Sequence, residues 1–400
     1  MPSADIVKSV DINRTPRVMQ LEGIFDIPPS KKASEKWGVN IPFSKKKWNV
    51  GLIVGPSGCG KTIIINELFK DYIYNSFDWL PNNAVVDNYP KGMGIKDVSK
   101  LLNSVGFSSP PSWLKPFRVL SNGEKFRCHV ARAMAESKDF FVIDEFSSVV
   151  DRTVAKIGSV AIAKTVRKYD KQFIAATCHY DIEEWLQPDW VYKPVGNEFK
   201  WRLLQHHPKI NLEVRKVHTD AWEYFRKHHY LSQVVNKSAQ CFVSFVEGVP
   251  ASFFGYIHLV NNVLKNTKKG HRNVCMPDYQ GVGIGSRLED YIASCLRLSG
   301  YDYIAQSSHP ARIHYCANSK DWKLINKTKV NVNKIGKSRG KGGTPSGGSG
   351  NYQQYLGRVL YTFRYLGCSP GVTIEDAKIL DSNATMAVKQ KKIRRTIALN

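Results

Sequence analysis

Acidic residues are scarce in this chain of 400: 34 Asp and Glu stand against 58 Lys and Arg, a formal net charge of +24. That imbalance excludes an acidic surface and leaves one suited to a polyanion. Long apolar runs are missing too; none approaches the ~18 residues that a bilayer-spanning helix needs. The opening "MPSADIVKSVDINRTPR" has no hydrophobic stretch of the secretory type. A cytoplasmic protein without a membrane segment is expected. Paired cysteines are absent as well. Cys59, Cys128, Cys178, Cys241, Cys275, Cys295, Cys316 and Cys368 lie singly, with no CxxC. Reduced thiols are therefore expected rather than disulfides or a metal site. No internal repeat is evident.

What is present exceeds one hydrophobic core. Four hundred residues point to two domains, and 42% hydrophobic content argues against overall disorder. The halves differ in charge: residues 1–200 hold 28 Lys and Arg against 22 acids, residues 201–400 hold 30 against 12. Strand-like runs in the first half are "WNVGLIV" (48–54), "NNAVVD" (82–87), "FFVIDEF" (140–146) and "KQFIAATC" (171–178). Helical patterns lie between them at 61–75, 94–105, 123–137 and 152–169. Strands alternating with helices predict an α/β domain with a mostly parallel sheet. The pattern restarts near "QHHPKINLEV", which places the boundary at 205/206. The second half reads as α+β: a helix at 219–230, a hairpin "QCFVSFVEGVPASFFGYIHL", a helix at 285–298, a strand at 301–308, a helix at 310–318 and strands within 357–366.

Two glycine-rich turns carry the chemistry. The first, "GPSGCGKT", runs through Gly55, Pro56, Ser57, Gly58, Cys59, Gly60, Lys61 and Thr62, after a strand and before a helix. Its amides suit phosphates, Lys61 reaches the β/γ phosphates and Thr62 suits Mg²⁺. Downstream, Asp144 and Glu145 end an apolar strand, fit to hold Mg²⁺ and to activate water. Ser121 and Gly123 begin a helix whose free amides suit an anion. His179 ends a further strand, where an imidazole can sense the γ-phosphate. In this order the four stretches resemble the ABC-type ATPases. The family's signature L-S-G-G-Q stands here as "LSNGE", and its D-loop resembles "SSVVD" (147–151). Only 58 residues separate Thr62 from Ser121, so the helical subdomain is expected to be small. The family's glutamine after the second strand is missing, and Asp87 is the candidate for its place. The resemblance implies ATP, Mg²⁺ and a homodimer in which Ser121 of one copy meets ATP on the other.

The second turn, "VCMPDYQGVGIGSRLEDYI" (274–292), has glycines that let a backbone approach a pyrophosphate at a helix start. A dinucleotide turn fits poorly, because G-x-G-x-x-G order and an acid after the next strand are both lacking. The stretch resembles motif A of the GNAT acyl-CoA acyltransferases, R/Q-x-x-G-x-G/A. The resemblance implies a GNAT fold over about 210–370 and acetyl-CoA or another acyl-CoA held by Gln280, Gly281, Val282, Gly283, Ile284, Gly285 and Ser286. Val274 and Met276 belong to the strand that presents an amide to the thioester. Tyr315 takes the place of the tyrosine that protonates the leaving thiolate, or packs as a core side chain.

For the acceptor, His228, His229, Tyr230 and His309 are candidate contacts, and no carboxylate is an obvious base. The segment "KTKVNVNKIGKSRGKGGTPSGGSGN" (327–351) is basic and Gly/Ser-rich. It offers Lys334, Lys337, Arg339 and Lys341 to phosphates, with Tyr352, Tyr355, Tyr361 and Phe363 beyond for stacking. DNA or RNA is the expected partner, and a faint likeness to phage Mom-type DNA-modification enzymes favours DNA. Acetylation of a protein or small amine is the enzymatic alternative. A nucleic-acid switch that only senses acyl-CoA is the other.

Overall fold

The computed structural model describes residues 3–138, 140–202, 209–229, 234–260, 264, 266–329, 359–384 and 395–399. Packing divides the chain into two compact units. One holds Met1–Asp78, Ala133–Asp151 and Ala163–His206; the other holds Trp79–Arg132, Arg152–Ile162 and His207–Asn400. The second unit thus takes in two segments that the sequence alone groups with the first half. The residues around the expected 205/206 boundary lie outside the described ones.

In the first unit, β1 (Ser3–Asp11) and β2 (Lys32–Asn40) form an antiparallel ribbon, with α1 (Pro16–Ile24) between them. A five-stranded sheet follows, built from β3 (Val50–Val54), β4 (Phe140–Ile143), β5 (Gln172–Thr177), β6 (Trp190–Lys193) and β7 (Glu198–Trp201), in the order β4-β5-β3-β6-β7. Strands β3 to β6 are parallel and β7 is antiparallel. All five residues of β3 are buried. Such continuous apolar runs, rather than alternation, belong to strands covered on both faces. Helix α2 (Lys61–Leu68) follows β3, and its Ile64 and Ile65 join Ile53, Val142, Ile174 and Trp190 in the core.

One expected strand is corrected. "NNAVVD" is not extended; Val85–Asn88 is a 3-10 turn of the second unit. The Asn88 carboxamide accepts from the Leu80 N–H and donates to the Ala84 carbonyl, both at 2.8 Å. Val85 N–H donates to Lys115 O at 2.9 Å. Local bonds of this kind take the groups a ladder would use. The edge beside β4 carries a single parallel bridge instead, Ile73 to Val142.

The second unit joins α3 (Ile95–Ser104), α4 (Pro110–Trp113) and the start of α5 (Asn122–Glu136) and α6 (Arg152–Lys168) to an eight-stranded sheet. Helix α7 (Ile182–Leu186) belongs to the first unit. The eight strands are β8 (Ile210–Val217), β9 (Gln240–Val246), β10 (Val249–His258), β11 (Thr267–Cys275), β12 (Asp302–Ser307), β13 (Trp322–Lys329), β14 (Val359–Tyr365) and β15 (Arg395–Leu399). Their order is β13-β14-β12-β11-β10-β9-β8-β15. The expected 219–230 helix is corrected to α8 (Trp222–Phe225) between 3-10 turns. Trp222 and Phe225 are buried beside Phe253 and Val274, and the chain becomes extended at His229. Helices α9 (Ile284–Leu298), α10 (Pro310–Asn318) and α11 (Ile374–Ala377) complete the unit. Strands β11 and β12 are parallel but pair only through Thr267–Lys269 with Asp302–Ile304. Beyond that point β12 pairs with β14, and β11 keeps β10 alone. The two parallel strands part.

Candidate functional site

The first glycine loop turns out of β3 into α2. Gly58 and Gly60 adopt φ of 80° and 90°, which glycine reaches without the Cβ penalty. A Cβ at Gly60 would lie 2.4 Å from Trp37 Nε1, so the indole of β2 lies directly against the loop. Sequence reasoning missed Trp37, because its contact is with a loop more than twenty residues further along the chain. Lys61 is buried and donates to Gly55 O at 2.9 Å and Pro56 O at 2.8 Å. Thr62 Oγ1 donates to Asp144 Oδ2 at 2.6 Å. That hydroxyl–carboxylate pair, 82 residues apart in sequence, is a donor set suited to Mg²⁺. Glu145 is exposed with φ of 52°, and its N–H donates to Asp144 Oδ1 at 2.9 Å. A non-glycine residue at positive φ costs on the order of 1–3 kcal/mol and tends to mark a working position. Asn75 Oδ1 accepts the Asp144 N–H at 2.8 Å. Asn75, two residues after the Ile73 bridge, was also missed, and no sequence pattern announced it. Asp87 lies in the 3-10 turn of the other unit. His179 follows β5, its N–H donating to Thr177 Oγ1 at 3.2 Å.

Known proteins give part of this chain its relatives. The molybdate/tungstate import ATP-binding protein WtpC of Thermococcus kodakarensis is 28% identical over 162 residues, 32% of this chain and 47% of that protein. The spermidine/putrescine import ATP-binding protein PotA of Borreliella afzelii is 25% identical over 178 residues, 36% of this chain and 51% of its own. The chain thus spans about half the length of these import proteins. Among solved structures, a dimeric ATP-binding cassette in a post-hydrolysis state with ADP and Pi covers 51% of this chain and 98% of its own, at TM-score 0.36 and 13% identity. An ATP-bound bacterial Atm1-family ABC exporter covers 40% of this chain and 33% of its own, at TM-score 0.30 and 16% identity. No protein-family model matches the chain. The sequence relatives support an ABC-type ATPase domain.

The stretch "LSNGE", which resembles the ABC signature, lies in the second unit and forms a capping box. Ser121 N–H donates to Glu124 Oε2 at 3.0 Å, and Glu124 N–H donates to Ser121 Oγ at 3.3 Å. The Glu124 that departs from the family's glutamine therefore closes the helix start. A Cβ added at Gly123 would meet Val154 at 3.2 Å and Asp278 Oδ1 at 3.3 Å.

The second glycine loop has the expected shape, with Gly281 and Gly283 at φ of 95° and 88° and Gly283 as N-cap of α9. A Cβ at Gly283 would meet nothing within 4 Å. Gln280, however, is engaged within the chain: its Oε1 accepts the Ser108 N–H at 2.6 Å and its Nε2 donates to Cys275 O at 3.0 Å. The placement of the strand amide is corrected. Met276 N–H donates to Ala251 O at 2.9 Å, and Val274 pairs with Phe253 in the β10 ladder. Antiparallel alternation therefore turns the Asn273 and Cys275 amides, not those of Val274 and Met276, toward the parted side. The Cys275 thiol is bonded by the Gly285 backbone and pushed up to about 12 by burial. Val282, Ile284 and Ser286 occupy the loop and first turn as expected, with Ile284 buried.

Tyr315 does not stand free. Its hydroxyl donates to Asp290 Oδ2, and Trp322 Nε1 donates to Asp290 Oδ1 at 3.0 Å. Burial pushes Asp290 up to about 6. Burial, followed by the Asp290 charge, holds the Tyr315 phenol well above its ordinary range. Beside it Glu289 takes Arg312 at 2.9 Å, Tyr303 at 2.7 Å and Asn273 at 2.7 Å. No sequence pattern announced these two adjacent buried acids. His309 is pushed down to about 4 by burial, while a bond to the Ser108 backbone opposes that. His229 lies edge-on to Trp222, and His228 is lowered by burial beside Lys227 and Lys115. Tyr230, Tyr352, Tyr355, Lys334, Lys337, Arg339 and Lys341 lie outside the described residues. Among the described residues no helix is long and apolar enough to cross a membrane, and no cluster of His, Cys, Asp and Glu could hold a metal.

Proposed function

We propose that the chain is an ATP-hydrolysing ABC-type switch that pairs with a second copy and governs an acyl-CoA-dependent N-acyltransferase acting on nucleic acid. The Thr62–Asp144 pair supports the ATPase reading, because a hydroxyl and a carboxylate of the kind that suit Mg²⁺ lie in contact, next to an exposed Glu145. Mg²⁺, held by Thr62 and Asp144, would offset phosphate charge. Lys61 would exchange its loop carbonyls for phosphate oxygens, Glu145 would take the proton of the attacking water and His179 would contact the γ-phosphate. Trp37 would offer its indole face to the adenine. Ser121 and Gly123 would complete the site of the other copy.

The GNAT reading is supported by one arrangement: a parallel strand pair that parts beside a positive-φ glycine loop heading α9. When bound, an acyl-CoA supplies the activated acyl group. Its pyrophosphate would lie on the amides of Gly281 to Ser286, its thioester carbonyl at the outward amides of β11. The basic second half supports nucleic acid as acceptor. One observation favours the non-catalytic alternative: the Tyr315 proton is committed to Asp290. Protein incubated with labelled acetyl-CoA, DNA, RNA and a protein mixture separates these readings. Label on DNA or RNA is expected. Label on protein would favour the other acceptor, and bound coenzyme without transfer the sensor.

A further inference from the structure

The second unit places a piece of the ABC half on the loop that the acyl-CoA reading assigns to the coenzyme. Between α3 and α4 the chain runs Gly106, Phe107, Ser108, Ser109. Ser108 is held from two sides: its N–H by the Gln280 carboxamide at 2.6 Å, its backbone also by the His309 imidazole. Gln280 follows β11 and His309 follows β12, the two strands that part. Ser108 therefore spans the opening at their ends. Gly106 takes φ of 88°, and a Cβ added there would lie 2.7 Å from Gln280 O. A Cβ on Gly281 would lie 2.6 Å from Gly106 Cα. The loop backbones are in direct contact, and neither position has room for a side chain.

A second tie fixes the same loop. Arg127, 1% exposed on α5, donates to Pro277 O at 2.8 Å and to Asp278 O at 2.9 Å. Arg127 stands one turn beyond Gly123 and Glu124 of the signature stretch, and the Asp278 carboxylate lies against Gly123. The signature helix and the glycine loop of α9 are thus joined by charged hydrogen bonds, which are roughly twice as strong as neutral ones.

We infer that Gly106–Ser109 is a plug: it closes the gap between the ends of β11 and β12, and an acyl-CoA enters only when Ser108 leaves Gln280 and His309. This rests on the acyl-CoA reading of the loop. A ligand with its pyrophosphate on the first turn of α9 and its acyl end between the parted strands must pass between the loop after β11 and the turn after β12. Ser108 occupies that passage. Gln280 already gives its Oε1 to Ser108 and one Nε2 hydrogen to Cys275 O, so its carboxamide is held in place while Ser108 stays. A site open for only a fraction of the time binds with affinity reduced by that fraction. Loosening the plug should therefore tighten binding.

The test measures acetyl-CoA binding to the full chain by calorimetry and follows amide exchange over residues 104–114. Ser108→Pro removes the N–H that Gln280 holds; His309→Leu removes the imidazole tie and serves if the proline variant does not fold. Both are expected to bind acetyl-CoA at least tenfold more tightly than the parent. In the parent, acetyl-CoA should speed exchange at Phe107–Ser109. Binding to the parent with exchange unchanged or slowed, and no gain in either variant, would overturn the plug and leave the acyl-CoA reading standing. No binding to the parent or to either folded variant would overturn both.

Discussion

The two glycine loops share a backbone and differ in surroundings. Gly60 and Gly283 are both N-caps at φ near 90°, and neither helix has a side-chain cap. Around the first loop, chemistry converges: Lys61, Thr62, Asp144 and the exposed Glu145. Around the second, hydrogen bonds that serve folding converge: Gln280 on Ser108, Arg127 on two carbonyls, Cys275 on the Gly285 backbone. A glycine turn before a helix makes an anion cradle available, and the side chains around it decide whether it is armed or covered.

The largest effect should come from the armed loop. Glu145→Gln should cut ATP turnover by roughly 10²-fold or more, the size of a general-base contribution. ATP binding should persist, and the variant should accumulate as a dimer. Turnover assays and sedimentation with Mg-ATP check both; full turnover, or a monomer with ATP, would break the proposed division of labour.

The covered loop should answer differently. Gly283→Glu places a carboxylate where a Cβ meets only open space, so the protein should fold. Acetyl-CoA binding should be lost while ATP turnover stays within about twofold, since the substitution acts by repelling the pyrophosphate. Calorimetric titration measures the first and a phosphate-release assay the second. Unchanged acetyl-CoA affinity would remove the second cradle from the comparison altogether.

A smaller effect concerns the charge that separates the halves. Neutralising Lys334, Lys337, Arg339 and Lys341 together should weaken DNA or RNA binding by about tenfold at low salt and flatten its salt dependence, because fewer counterions are released. Fluorescence anisotropy across a salt series reads both. Binding that is weak and indifferent to salt in the parent would instead favour a protein or small-amine acceptor.

The smallest effect compares the two glycines themselves. Alanine at either position carries the left-handed penalty of about 1–2 kcal/mol. Gly60→Ala should cost more than Gly283→Ala, because its Cβ would sit 2.4 Å from Trp37 while that of Gly283 is unopposed. Thermal melts of the two variants measure the difference. Equal losses would mean that Trp37 yields without cost.

Much of this was legible in the chain. The period of the apolar residues announced β3, β4, β5, α6 and the β9–β10 hairpin, and α10 occupies 310–318 as expected. Strand β1, helix α1 and strand β2 were not legible, since most of their residues are exposed and only Ala4, Ile6, Trp37 and Val39 of the ribbon reach the core. "NNAVVD" misled because its two valines read as a strand, whereas the neighbouring Asn88 side chain stitched a turn. At the sites, the residues of "GPSGCGKT" were read correctly as a loop and helix start. Trp37, Asn75 and Arg127 were not, because each acts through a partner distant in sequence.

The sequence by itself determined where helices start after glycine loops, which strands are buried on both faces, and which residues carry charge. These follow from local conformational preference and from hydrophobic periodicity, and both are written in neighbouring residues. Only the tertiary structure decided that 79–132 packs with the second sheet, that Glu289 and Asp290 are buried together, and that Ser108 lies on Gln280. The Ser108–Gln280 bond joins residues 172 positions apart. A hydrogen bond between such distant groups exists only after the chain has closed on itself, so no local pattern can encode it.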